Sequence, residues 1–200
     1  MWLAVFGGGG RTGRLVLEAA LARGHGVRAL LRSPRDLDAR VEVVLGDARD
    51  PAAVARALEG AGAAISVLTI PEGAEPTDAL SAATRTIVEQ AAVVGPRRLV
   101  VTTNSAVFHD RPVADPYRVI AEEHRRGVAV LRSSGLDWTV LAPTALVDAE
   151  PAGAYEAVLD RRAPRPTIAR ADLAAAVLDA LDRPDWVGHL VGVCGPPEAA

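Results

Sequence analysis

The chain predicts a doubly wound α/β fold, a parallel sheet with helices on both faces. Three observations predict it. Short apolar runs of strand length alternate with helical periodicity along all 200 residues. The first strand and the first helix are joined by a run of four glycines. Half of the residues are apolar, with alanine and valine dominant, as in a sheet buried on both sides.

Each element has its own signal. Trp2 to Phe6 is the first strand, and Gly7 to Gly13 follows with the spacing G-x-x-G-x-x-G. Leu15 to Arg23 reads as a helix closed by Gly24-His25-Gly26. Val27 to Leu31 is the second strand. Ser33-Pro34 stops it and opens a short turn or helix. Val41 to Leu45 is the third strand. Asp50 is placed as an N-cap with Pro51 in the first turn, for a helix running to Leu58 and closed by Gly60-Ala61-Gly62. Ala63 to Leu68 is the fourth strand, and Pro71 to Pro76 is a loop. From Thr77 to Val94, apolar Leu80, Ala83, Ile87, Ala91 and Val94 fall at helical spacing. Arg98 to Thr102 is the fifth strand, Thr103 to Asp115 a loop, and Pro116 to Ser134 a helix stopped by Gly135. Trp138 to Ala142 is the sixth strand, Ala171 to Leu181 the last helix, and His189 to Val193 the final strand.

Parallel neighbours need crossover helices, and such crossovers are right-handed. The expected sheet is therefore Rossmann-type, with strand order 3-2-1-4-5-6. No internal repeat or linker divides the chain, so residues 1–200 form a single domain. Residues 148–166 lack strand periodicity. They are expected to form a small excursion over the carboxyl edge of the sheet, on the substrate side.

Composition excludes several classes. A net charge of −3 gives no electrostatic support for a nucleic-acid partner or an anionic membrane surface. Cys194 is the only cysteine, so neither an intrachain disulfide nor a cysteine metal cluster can form. Four scattered histidines lack the spacing of a metal site. The apolar start, Met1 to Phe6, is too short for a signal h-region. No apolar run reaches the roughly 18 residues of a membrane span. The expectation is a soluble cytoplasmic protein. Arginine is used and lysine is absent throughout, which points to a GC-rich genome.

The glycine run carries the functional signal. Gly7 would make the tight turn, Gly10 would let the backbone approach a pyrophosphate, and Gly13 would let the helix pack on the strand. The helix N-terminus offers unpaired N–H groups and partial positive charge to phosphate. A Walker A reading fails, because Arg14 and Leu15 stand where Lys and Ser/Thr are required. A site for NAD would place an acid at the end of the second strand, about twenty residues past the glycines. Here Arg32-Ser33 occupies that place, with Arg35 nearby and no acid before Asp36. A guanidinium pairs with a 2′-phosphate, and a carboxylate repels it, so the expected cofactor is NADP(H). Arg11 is expected to reach the same side. The bland alternative is that these arginines are solvated surface. Asp47, after the third strand, would accept from the adenine amino group or cap the next turn. Val67 and Leu68, at the end of the fourth strand, would lie beneath the ribose and nicotinamide, or simply be core.

Five segments together resemble the atypical short-chain dehydrogenases, in particular the biliverdin reductase B (flavin reductase) and NmrA-like group. They are Val5 to Gly13, Leu30 to Ser33, Gly46-Asp47, Ser134-Gly135-Leu136-Asp137-Trp138-Thr139 with Pro143, and Ile168 to Ala174. The resemblance implies an NAD(P)-binding Rossmann fold. It adds Thr12, Ser33, Thr103 and Pro143 to the cofactor side, and it matches Ser105 to a serine that hydrogen-bonds in the substrate pocket. An ordinary loop hydroxyl is the alternative for Ser105. Glu123-His124 is similar to an Asp-His pair of the reductases, or lies on the helix surface. His109 is a proton donor or an exposed loop histidine. Two departures stand out. The Tyr-x-x-x-Lys pair is missing, since the fourth residue after Tyr117 is Ala121 and there is no lysine; and Ala142-Pro143 replaces the commoner Arg-Pro.

A phenol without a neighbouring cation is a poor acid at neutral pH, so ordinary carbonyl–alcohol chemistry is not expected. Ser133-Ser134 lacks the G-x-S-x-G context of a hydrolase. The reading is an NADPH-dependent reductase of a flavin, quinone or similar planar acceptor, acting as a monomer or homodimer. The alternative is an NmrA-like sensor that binds NADP(H) and a protein partner without turnover. An epimerase holding NAD would need the acid–base pair that is missing.

Overall fold

The computed structural model describes residues 1–109 and 111–197. Its main sheet holds β1 (Trp2–Phe6), β2 (Gly26–Leu31), β3 (Val41–Leu45), β4 (Ala63–Ser66), β5 (Arg98–Thr102), β6 (Asp137–Pro143), β8 (Glu156–Leu159) and β10 (Leu190–Cys194). Its order is β3-β2-β1-β4-β5-β6-β10-β8, parallel throughout except for antiparallel β8. The expected order of six strands is found, extended by two. A separate parallel pair joins β7 (Ala145–Val147) to β9 (Thr167–Ala169).

Five helices cover the sheet: α1 (Arg11–Ala22), α2 (Pro51–Leu58), α3 (Ala79–Val94), α4 (Arg118–Arg132) and α5 (Arg170–Ala180). Strand side chains alternate between the faces. Leu3 and Val5 pack with α1 and α5 residues such as Val16, Leu17, Leu173 and Val177. Ala4 and Phe6 pack with Val54 and Leu58 of α2, Ile87 of α3 and Leu131 of α4. This two-sided burial explains the continuous apolar strands in the sequence.

Three local expectations need correction. Residues 33–38 form no helix. Strand β4 ends at Ser66, and Val67 and Leu68 continue as irregular backbone. Residues 148–166, read as without strand character, contain β8, which pairs with β10 from Glu156↔Cys194 to Leu159↔Val191. A four-residue edge strand is too short to show a period, and its pairing is long-range.

The order places the switch point between β1 and β4, whose crossovers leave in opposite directions. Open α/β sheets form their crevice at that point, beyond the carboxyl ends of the strands.

Candidate cofactor and active site

A cleft of about 330 Å³ lies at this switch point. Residues after β1 (Gly7, Gly9, Gly10), β2 (Arg32, Arg35), β3 (Gly46, Asp47, Ala48, Arg49) and β4 (Val67, Leu68, Thr69, Ile70) line it, and Leu80 and Ala83 of α3 form a wall. Of the residues expected to hold the cofactor, Gly7, Gly10, Arg32, Asp47, Val67 and Leu68 meet here.

The glycine loop is tightly built. Gly7 has φ +87°, in the region that favours glycine, and a Cβ there would sit 2.8 Å from the Val67 carbonyl oxygen. A Cβ on Gly13 would lie 2.1 Å from the Gly7 carbonyl oxygen, so α1 can approach β1 only with glycine there. Gly10 differs, because a Cβ would find its nearest neighbour at 3.5 Å and the position opens to the cleft. Gly10 is the N-cap of α1 and supplies no side-chain cap, and the first turn holds no acid. The first N–H groups of α1 are thus left for an anion.

At the β2 end of the cleft, Arg32 and Arg35 are exposed, and among the described residues neither forms a salt bridge. Arg35 lies along Gly9, its Cγ 3.5 Å from where a Cβ would be. Asp47 is engaged: Oδ1 accepts the Arg49 backbone N–H and Nε, and Oδ2 accepts Nη2 at 2.9 Å. The Arg49 guanidinium holds the Asp47 carboxyl down at about 2. The turn-capping role of Asp47 is therefore present, and Arg49 joins the cleft as a cation that the sequence reading missed. Ser33 is exposed and outside the lining residues.

Arg11, expected on the same side as Arg32, pairs with Asp148 and does not line the cleft. Its Nη1 donates to Asp148 Oδ2 at 2.9 Å, while Arg170 Nε donates to Asp148 Oδ1 at 2.6 Å. Arg170 Nη1 also donates to Thr12 Oγ1 at 3.4 Å. Arg11, Thr12 and Arg170 thus tie the start of α1 to the segment after β7. Asp172, from the same Arg-Ala-Asp-Leu-Ala motif, is buried and accepts the backbone N–H groups of Ala152 and Gly153. The motif fastens residues 148–153 beside the glycine loop.

Beyond β5 the chain reaches the carboxyl edge next to β4. Asn104 Oδ1 caps a 3₁₀ turn, Ser105–Phe108, by accepting the Ala106 N–H. Ser105 is half-buried at the start of this turn, outside the residues that line the cleft. Thr103 is buried, and among the described residues its Oγ1 has no hydrogen-bond partner. It lines a small pocket with Ser66, Thr84 and His124 instead of the cleft. Pro143 is buried at the end of β6. His109 and Tyr117 are exposed.

Glu123 and His124 are not surface residues. Glu123 is fully buried and caps α3 from α4: Oε2 accepts the N–H groups of Leu80 and Ser81, each at 2.9 Å, and Oε1 accepts Ser81 Oγ and Arg126 Nη1. A carboxylate there meets the positive end of the helix dipole. Burial pushes the His124 imidazole down to about 4, with Glu123 opposing only in part. The Ser-Gly-Leu-Asp-Trp-Thr motif is architectural: Gly135 has φ +64°, Ser134 Oγ accepts the Leu136 N–H, and Thr139 Oγ1 donates to the Trp186 carbonyl.

A family model of NAD(P)H-binding proteins matches residues 7–184. This chain belongs to that NAD(P)H-binding family. Its motifs and relatives fit an atypical short-chain dehydrogenase. A (4-alkanoyl-5-oxo-2,5-dihydrofuran-3-yl)methyl phosphate reductase from Streptomyces griseus is 33% identical over 94% of this chain, which spans 66% of that relative's length. An anaerobillin reductase from Escherichia coli O157:H7 superposes with a TM-score of 0.81 at 26% identity, covering 100% of this chain and 98% of the other. A short-chain dehydrogenase/reductase from Veillonella parvula, solved with NADP, shares the fold at a TM-score of 0.79 and 17% identity, covering 98% of this chain and 94% of its own. Among the described residues, no helix is long and apolar enough to cross a membrane, and no cluster of three or more His, Cys, Asp or Glu suits a metal ion.

Proposed function

We propose that the protein is an oxidoreductase that uses NADPH to reduce a small planar acceptor such as a flavin or quinone. One observation carries the cofactor choice. The cleft ends on Arg32 and Arg35, with no carboxylate at the end of β2 where a 2′-hydroxyl would need one. The start of α1 would hold the pyrophosphate, and Val67 and Leu68 would floor the ribose and nicotinamide. When bound, the cofactor supplies a hydride.

The chain's own residues position and shield. Leu80 and Ala83 of α3 exclude water from the cleft wall. Ser105 orients the acceptor by hydrogen bonding, and a proton from solvent completes the reduction. The chain has no lysine, and neither Tyr117 nor Tyr155 lines the cleft, so the pair used in alcohol chemistry is not available there. The reductase names of two relatives support this reading.

The test is NADPH oxidation by the purified protein with FMN, menadione and biliverdin, repeated with Arg32→Ala. Turnover is expected with at least one acceptor. Arg32→Ala should weaken NADPH binding by about 2 kcal/mol, the size of a charged hydrogen bond, and leave NADH nearly unchanged. Equal losses for both cofactors would remove Arg32 from the 2′-phosphate. Tight NADPH binding with no turnover on any acceptor would favour a cofactor-sensing regulator.

A further inference from the structure

We propose that Arg125 is the positioning residue that holds the Ser105 turn beside the cofactor cleft. The turn has weak means of holding itself. Its backbone bonds are long, with Val107 N–H to Asn104 O at 3.3 Å and His109 N–H to Ala106 O at 3.5 Å. The Asn104 side chain accepts only the N–H of Ala106, the second residue of the turn. Among the described residues that follow, 109 and 111–117 belong to no helix or strand.

Arg125 reaches out of α4 and gathers this segment from beneath. Nε and Nη2 both donate to the Ala106 carbonyl, at 3.2 and 3.1 Å. Nη2 also donates to the carbonyls of His109 at 3.1 Å and Arg111 at 3.0 Å. One partly buried guanidinium therefore binds three carbonyls spread over six residues. Among the described residues it forms no salt bridge, so its charge is spent on backbone oxygens. Bonds from a charged donor are about twice as strong as neutral ones. The planar fork of arginine can meet several carbonyls at once, whereas the ammonium of lysine is a single point. Ser105 directly precedes Ala106, the carbonyl gripped twice. Loss of this grip would let the Ser105 hydroxyl move relative to β4 and its continuation Val67–Ile70, which line the cleft.

The inference rests on the reductase reading for its kinetic consequence but not for its structural one. The experiment uses the full chain with Arg125→Met and Arg125→Lys. NADPH affinity is measured by fluorescence titration, turnover with FMN and with menadione, and amide hydrogen exchange across residues 104–109. Arg125→Met should keep NADPH affinity within about twofold, lower kcat about tenfold, and speed exchange of the turn amides about tenfold. Arg125→Lys should recover part of both losses. Unchanged exchange in the turn would overturn the proposal. So would a parallel fall in NADPH affinity, turnover and unfolding temperature, which is the mark of general destabilisation. If the unaltered protein reduces neither acceptor, the reductase reading loses support, and the exchange measurement still decides whether Arg125 holds the turn.

Discussion

At the residue scale, the glycine loop separates two roles that the spacing alone presents as equal. Gly13 is required by packing, whereas Gly10 has room for a side chain and opens to the cleft. Gly13→Ala should fail to yield folded protein, because its methyl group would lie 2.1 Å from the Gly7 carbonyl oxygen in a buried contact. Gly10→Val should fold, since the nearest atom to its Cβ is 3.5 Å away, and should lose NADPH binding because its side chain enters the cleft. Circular dichroism with a cofactor titration checks both, and a folded Gly10→Val that still binds NADPH would refute the loop as a phosphate site. A second pair of residues tests the chemistry. Tyr117 is exposed at the start of α4 and the chain has no lysine to partner it, while Ser105 opens the turn after β5. Tyr117→Phe is expected to keep most of the turnover, and Ser105→Ala to lose about tenfold or more through poorer orientation of the acceptor. Steady-state rates with one accepted substrate decide the order. A dead Tyr117→Phe beside a fully active Ser105→Ala would return the chain to tyrosine-dependent chemistry.

At the scale of elements, α3 and α4 are joined by polar groups that periodicity cannot reveal. Leu80, Ala83 and Ile87 mark the inner face of α3 correctly, and all three are buried. Nothing in the sequence shows that the N-terminus of α3 has its cap on another helix, at Glu123. His124 beside it has a consequence for pH. Its buried imidazole titrates at about 4 in place of 6.5. Between those values the unfolded chain binds a proton that the folded chain refuses. Stability should therefore fall as pH drops from 6.5 towards 4, by about 3 kcal/mol from this residue. That corresponds to roughly 6–12 °C in unfolding temperature for a chain of this size. His124→Gln cannot take up that proton and should show a flatter profile across the window. Thermal unfolding at several pH values compares the two, and parallel curves would show that His124 is not the group responsible. The Asp47 carboxyl, held at about 2 beside Arg49, titrates lower, so its loss falls outside this window.

At the scale of the whole molecule, the sheet order brings the ends of β1, β2, β3 and β4 to one crevice, and the cleft is found there. The sequence by itself determined the strand-and-helix alternation, the six-strand order at the core of the sheet, and the glycine, Arg32 and Val67-Leu68 walls of the cleft. These are legible because each rests on a recognisable rule: period-two and helical spacing, caps, glycine turns, right-handed crossovers, and the strand order that goes with a glycine-marked dinucleotide fold. Only the tertiary structure decided the rest. It placed β8 antiparallel on β10, paired Arg11 with Asp148, set Thr103 in a small pocket apart from the cleft, and brought Arg125 to the Ser105 turn. Each of these pairs residues far apart in the chain, from 19 positions for Arg125 and Ala106 to 137 for Arg11 and Asp148. A side chain's choice among distant partners follows from where the folded backbone sets its competitors, and no local pattern in the chain encodes that competition.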